Sequence, residues 1–241
     1  MPDQPFNLPN STSTALLLVA ITISILVWTR LSHKDPRLPR VYLIGLLGGF
    51  LGSKLGFIFA EFTTWFGTPE FWPQMLAGKT ILGALLGGYG FVELAKRQVG
   101  YEPPTGDMFA LTAPLGIFFG RIGCLTADCC LGQTCTPSWF AIPDASGTPR
   151  WPSVPLEMAV NLLMLLIFLT LRKHQIAQGQ HFHLYLIAYG LFRLWHETMR
   201  DTPRLFGPIS GYQILALATV GLGVWGYRRR MINSTRYFHD F

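Results

Sequence analysis

Long apolar runs, separated by short charged or proline-rich segments, recur along the whole chain. A run near 20 residues is the length at which a helix crosses the hydrocarbon core of a bilayer, about 30 Å. The pattern predicts helices over about 15–29, 41–60, 80–95, 107–124, 154–171, 182–198 and 209–227. It describes an all-α integral membrane protein with seven transmembrane helices, organised as a single polytopic membrane domain over residues 1–241. Residues 1–14 lack a basic n-region, so the first run reads as a retained span rather than a cleaved signal peptide.

Polar positions between the runs set the orientation. Arg30, Lys34, Arg37, Arg40, Lys96, Arg97, Arg172, Lys173, Arg228, Arg229, Arg230 and Arg236 fall on one predicted side, and Arg150, Arg200 and Arg204 on the other. Basic loops stay in the cytoplasm, which predicts a periplasmic N-terminus and a cytoplasmic C-terminus. Residues 61–75, with Phe62, Trp65, Phe66, Phe71 and Trp72, read as an outer aromatic loop. The stretch up to Pro155 contains Pro137, Pro143, Pro149 and Pro152 and reads as irregular and periplasmic. Gly48, Gly52 and Gly56 of the second span are spaced to let helix backbones approach closely, and the third span again carries close glycines, Gly83, Gly87, Gly88 and Gly90.

Composition supports the membrane class, since the chain is 50% hydrophobic, only 13% charged and has a mean hydropathy of +0.33. The net charge of +6 is explained by the basic loops, so nucleic acid is not expected as a partner.

Charges inside the runs carry the candidate chemistry. Lys54 lies within the second span and Arg121 near the outer end of the fourth, while Arg193, Glu197 and Arg200 follow i, i+4, i+7 spacing that would share one helix face. Guanidinium forks near a carboxylate keep their orientation and retain donors for a phosphate. All four cysteines, Cys124, Cys129, Cys130 and Cys135, crowd beside Arg121. A disulfide, a reactive or redox thiol pair activated by Arg121, and a thiolate metal site are the alternatives. The spacing C-x4-C-C-x4-C matches no common zinc pattern and its adjacent pair is awkward for one tetrahedron, so neither a metal nor a cofactor is expected.

With these residues assembled, the chain resembles the prolipoprotein diacylglyceryl transferase family from the second span onward. The likeness rests on Gly52-Ser53-Lys54-Leu55-Gly56, Gly78-Lys79-Thr80-Ile81-Leu82-Gly83 and Gly120-Arg121-Ile122-Gly123 with Gly132. It continues through Pro152-Ser153 with Glu157, Tyr189-Gly190-Leu191-Phe192-Arg193, Glu197, Arg200 and Gly211-Tyr212-Gln213-Ile214-Leu215. The resemblance implies a bacterial inner-membrane, multi-pass enzyme. Such an enzyme moves the diacylglyceryl group of phosphatidylglycerol to the cysteine thiol of a lipoprotein precursor and releases glycerol phosphate. It implies catalytic roles for Arg121, Arg193 and Glu197, and substrate-binding roles for Arg200, Lys54, Gly123, Gly132, Ser153 and Glu157.

The chain departs from the family pattern at chemically important places. Leu82 stands where the family has a histidine, Cys124 and Ala127 where it has asparagines, Cys129 where it has a glutamate, and Trp151 where a histidine precedes Pro-Ser. A different acceptor, a thiol or redox reaction at the chain's own cysteines, and a noncatalytic lipid-binding role therefore stand as alternatives to lipoprotein modification.

Overall fold

The computed structural model describes the backbone of residues 11–33 and 35–239; Lys34 and residues 1–10 lie outside the described residues, as does the side chain of Arg236. The described chain is mostly helical. Its helices are α1 (Ser11–Ser32), α2 (Leu38–Trp65), α3 (Phe71–Ala77), α4 (Ile81–Gln98), α5 (Gly106–Thr126), α6 (Ser153–Lys173), α7 (His181–His196) and α8 (Gly211–His239). Helices α2, α5 and α6 are each long and apolar enough to cross a membrane, and α3 with α4 forms a further pair bent by 53°.

Several local expectations change. The predicted aromatic loop after Glu61 is helical, because α2 continues to Trp65 and α3 follows after a short turn. Phe62, Phe66 and Phe71 pack on one another there, with centroids 5.2–6.0 Å apart, so these rings hold the α2–α3 corner together. The predicted irregular segment contains a small antiparallel hairpin, β1 (Ile142–Pro143) and β2 (Pro149–Arg150). Asp144 closes it by accepting from the amides of Ser146 and Thr148 and from Arg150 Nε at 2.6 Å.

Of the close glycines, Gly48, Gly52, Gly56, Gly83 and Gly87 lie in tight helix contacts, and Gly90 does not. A Cβ placed on Gly52 would lie 2.8 Å from the Gly87 Cα, and one on Gly48 would lie 2.7 Å from the Gly87 carbonyl oxygen. Helices α2 and α4 therefore touch backbone to backbone. Around this pair, Leu82, Ala110, Met164, Phe168, Tyr185, Leu186, Tyr189 and Ala216 form a core shared by α4 to α8. Trp28 of α1 joins through Tyr42 and Phe109, with ring centroids 4.9 and 4.8 Å away.

The two ends of the bundle differ chemically. One end is tied by Arg37 donating to the Gly100 carbonyl (2.9 Å), Arg230 to the Gly179 carbonyl (2.6 Å), and the Gly179 amide to Asp107 (2.7 Å). Gly179 is left-handed there, at φ +76°, which favours glycine in this tight connection. The opposite end gathers the C-termini of α2, α5 and α7 with the N-termini of α6 and α8, and it holds the charged residues described next.

Candidate active site

Glu157, one turn into α6 and fully buried, is the centre of this end. A carboxylate in such surroundings needs counter-charges and hydrogen bonds. Arg121, near the end of α5, places Nη2 2.7 Å from Glu157 Oε2. Arg193, near the end of α7, places Nη1 3.3 Å from the same oxygen, and the Tyr189 hydroxyl donates to Oε1 at 2.6 Å. Residues distant in sequence are thus joined on one carboxylate.

Arg193 also reaches Glu197, with Nη2 2.9 Å from Oε2, as the i, i+4 spacing predicts. Its Nη1 donates to His196 Nδ1 at 3.1 Å, and His196 Nε2 donates to the Ser153 carbonyl at 2.9 Å. That pair of bonds describes a neutral imidazole with its proton on Nε2. Arg200 corrects the expectation of a shared helical face. Helix α7 ends at His196, Glu197–Met199 form a 3-10 turn, and Arg200 is extended at φ −92°, ψ 147°. Arg200 instead bridges Gly132 of the long loop, and the Gln133 amide donates to the Met199 carbonyl at 2.9 Å. Its Nε remains 3.7 Å from Glu197 Oε2, an ion-pair distance beyond hydrogen-bonding reach. Gly132 is needed at this bridge because a Cβ would stand 2.7 Å from the Trp151 Cβ.

After these pairings, donors remain. Among the described residues, Arg121 Nε, Arg193 Nε, Arg200 Nε and Arg200 Nη1 are buried without a hydrogen-bond partner. Buried guanidinium nitrogens with spare donors suit an anion having several oxygens.

No disulfide joins the four cysteines in this structure. Cys124 lies in the last turn of α5, and the Cys129 amide donates to its carbonyl at 3.1 Å. Asp128 (φ 46°) and Cys130 (φ 61°) are left-handed, and the sulfurs of Cys124, Cys129 and Cys130 come within 4.8 Å of one another. Arg121 Nη1 lies 3.6 Å from Cys124 Sγ. Hydrogen bonds from the Cys124 and Cys129 thiols, aided by Arg121 and Arg200, hold the Cys130 thiol well below the usual thiol range. Cys135 stands apart from the trio, its amide bonded to the Pro149 carbonyl at 3.0 Å.

Ser153 caps the loop by donating to the Cys130 carbonyl at 2.9 Å. Gly123 is buried in the last turn of α5, where its carbonyl accepts from Thr126 and Ala127. Lys54 is not drawn into the arginine cluster; its ammonium donates to the Leu76 carbonyl at the α3–α4 break. Leu82 is core, 1% exposed.

Glu61 is the residue that sequence reasoning misplaced. Read as the start of an outer loop, it is buried, accepting from Tyr212 at 2.8 Å and Trp65 at 3.0 Å. A carboxylate following an apolar run, with a tryptophan four residues later, was the available signal. His196 and Tyr189 also enter the ion-pair network without having been singled out for it.

Comparisons with known proteins identify the family. The chain is 26% identical to the phosphatidylglycerol–prolipoprotein diacylglyceryl transferase of Clostridium tetani (strain Massachusetts / E88), over 88% of this chain and 89% of that protein. It is 29% identical to the protein of that name from Pseudoalteromonas atlantica (strain T6c / ATCC BAA-1087), over 92% of this chain and 84% of the relative. It is 30% identical to the protein of the same name from Methylocella silvestris, over 77% of this chain and 74% of the relative. The family model for prolipoprotein diacylglyceryl transferase matches residues 12–228, and with so much of its length covered the chain belongs to that family.

Proposed function

We propose that this protein transfers the diacylglyceryl group of phosphatidylglycerol to the cysteine thiol of a lipoprotein precursor, releasing glycerol phosphate. The observation that carries this reading is the buried set of spare guanidinium donors around Glu157. In the transfer, sulfur attacks the glycerol carbon, the carbon–oxygen bond to phosphate breaks, and a phosphate monoester leaves with its charge increasing. Arg121 and Arg193 would stabilise that developing charge. Glu157, Glu197 and Tyr189 hold the guanidinium planes, and Arg200 adds a donor from the loop side. Ser153 and Gly132 shape the loop that pairs with Arg200, Gly123 lies in the last turn of the helix that carries Arg121, and Lys54 steadies the α3–α4 corner.

The same reading places seven spans in a bacterial inner membrane, with the arginine end at the outer leaflet where phospholipid headgroups lie. The basic ends of α4, α6 and α8 support this orientation. The test is complementation of a strain depleted of its own transferase, read by the mass of a lipoprotein reporter. The wild-type chain restores the lipidated mass and Arg193→Ala does not. A stably inserted wild-type chain that leaves the reporter unmodified overturns the proposal.

A further inference from the structure

The cysteine trio lies against the proposed phosphate grip, yet the transfer as described gives it no task. Neighbouring side chains on extended backbone point to opposite sides, which is why an adjacent cysteine pair is awkward for one ligand sphere. Here left-handed backbone at Asp128 and Cys130 bends the chain so that both members of the pair meet Cys124. Left-handed backbone at a residue other than glycine costs roughly 1 kcal/mol each, so two such residues around Cys129 describe a turn held by its surroundings. The sulfurs lie within 4.8 Å of one another. Zinc, with bonds to sulfur of about 2.3 Å, holds its thiolates roughly 3.8 Å apart, so closing on an ion needs only small side-chain adjustments.

The chemistry around the trio also calls for something. The acceptor thiol must lose a proton before it attacks. Leu82 is an aliphatic core residue, both ring nitrogens of His196 are engaged by Arg193 and Ser153, and His181 and His183 lie at the start of α7, away from the site. A divalent cation with three thiolates carries a net charge of −1, which Arg121 and Arg200 are placed to neutralise. Zinc sites that do chemistry keep three protein ligands and an open fourth position, and a thiol that coordinates is deprotonated.

We propose that Cys124, Cys129 and Cys130 bind a zinc ion whose fourth position takes the acceptor thiol as thiolate. The assignment of the fourth position rests on the transfer reading given above, whereas metal binding by the trio does not. On coordination the acceptor S–H proton passes to water. A sulfur–carbon bond then forms at the glycerol carbon as the carbon–oxygen bond to phosphate breaks. The electron pair leaves on the phosphate monoester held by Arg121, Arg193 and Arg200, and the metal keeps its oxidation state. This departs from the expectation, made from cysteine spacing, that no metal is bound.

The test uses the full chain, purified in detergent with its thiols reduced, and equilibrated with zinc or with cobalt(II) as a coloured substitute. One metal per chain and a thiolate-to-cobalt charge-transfer band are expected. Cys124→Ser, Cys129→Ser and Cys130→Ser each lose most of the bound metal, and Cys135→Ser retains it. A cysteine-containing lipobox peptide shifts the cobalt spectrum, and its serine counterpart does not. Absence of bound metal in the reduced wild-type chain overturns the site, as does equal binding by the trio variants. Bound metal with a spectrum indifferent to the cysteine peptide overturns the acceptor role. A metal-free chain that still transfers overturns the acceptor role and spares the proposed function; a metal-loaded chain whose cobalt spectrum responds to the peptide but which transfers nothing overturns the proposed function and spares the metal site.

Discussion

Replacing Glu157 by glutamine removes the carboxylate that two guanidinium groups share while leaving its volume nearly unchanged. Arg121 Nη2 at 2.7 Å and Arg193 Nη1 at 3.3 Å both lie on Oε2, and Tyr189 donates to Oε1 at 2.6 Å. At an effective dielectric constant of about 20, each such charge pair represents roughly 5 kcal/mol of attraction. Much of this offsets desolvation, so breaking a buried pair costs about 3–5 kcal/mol. Arg193 keeps Glu197 at 2.9 Å, but Arg121 has no second carboxylate among the described residues, so it bears most of the loss. Thermal unfolding in detergent, followed by tryptophan fluorescence, should show a midpoint lowered by about 6–20 °C, taking about 2–4 °C per kcal/mol at this chain length. Diacylglyceryl transfer to a cysteine peptide should fall at least ~100-fold, since about 3 kcal/mol of lost transition-state stabilisation is two decades in rate. Tyr189→Phe removes one hydrogen bond to the same carboxylate, about 1.5–3 kcal/mol, and should be milder in both assays. A Glu157→Gln protein melting within about 2 °C of wild type and transferring at an undiminished rate would refute the placement of Glu157 at the centre of the grip.

Two further outcomes test the scaffold. Gly52→Ala should destabilise the α2–α4 contact by about 1–3 kcal/mol, because its Cβ would meet the Gly87 backbone. Gly90→Ala, whose Cβ meets nothing within 4 Å, should be neutral or slightly stabilising, and the two thermal midpoints should separate accordingly. Hydrogen bonds from Ser146 and the Arg150 guanidinium hold the Asp144 carboxyl below its usual range, so its contribution is complete above the ordinary carboxyl value and is lost as pH falls through the lowered one. Amide exchange at Ser146 and Thr148 should therefore show a protection advantage of wild type over Asp144→Asn that is full near neutral pH and shrinks as pH falls below about 4.

Much of this molecule was legible in its residues because the signals were local. Apolar runs set the helices, since a backbone in an apolar medium satisfies its hydrogen bonds within each helix. Glycines at four-residue spacing announced close helix packing, and the i, i+4 relation of Arg193 and Glu197 survives as an ion pair. The family likeness rested on residue order, and the match over residues 12–228 shows the family.

Helix endings and distant meetings required the tertiary structure. The helical run toward Arg200 stops at His196 because the chain turns to pair Arg200 with Gly132, an encounter between segments far apart in sequence. Glu61 looked like a loop residue until Tyr212 of α8 was found donating to it. The cysteines carry the same lesson. Their crowding left a disulfide, a reactive or redox thiol pair and a metal site open, and two left-handed residues bring three sulfurs together beside Arg121. The sequence by itself determined where the long apolar helices run, which ends are basic and which family the chain resembles, because hydropathy, charge and residue order are properties of the chain alone. Only the tertiary structure decided that Glu157 is the shared counter-ion and that the thiols converge, because a buried charge is partnered by whatever side chains packing delivers to it.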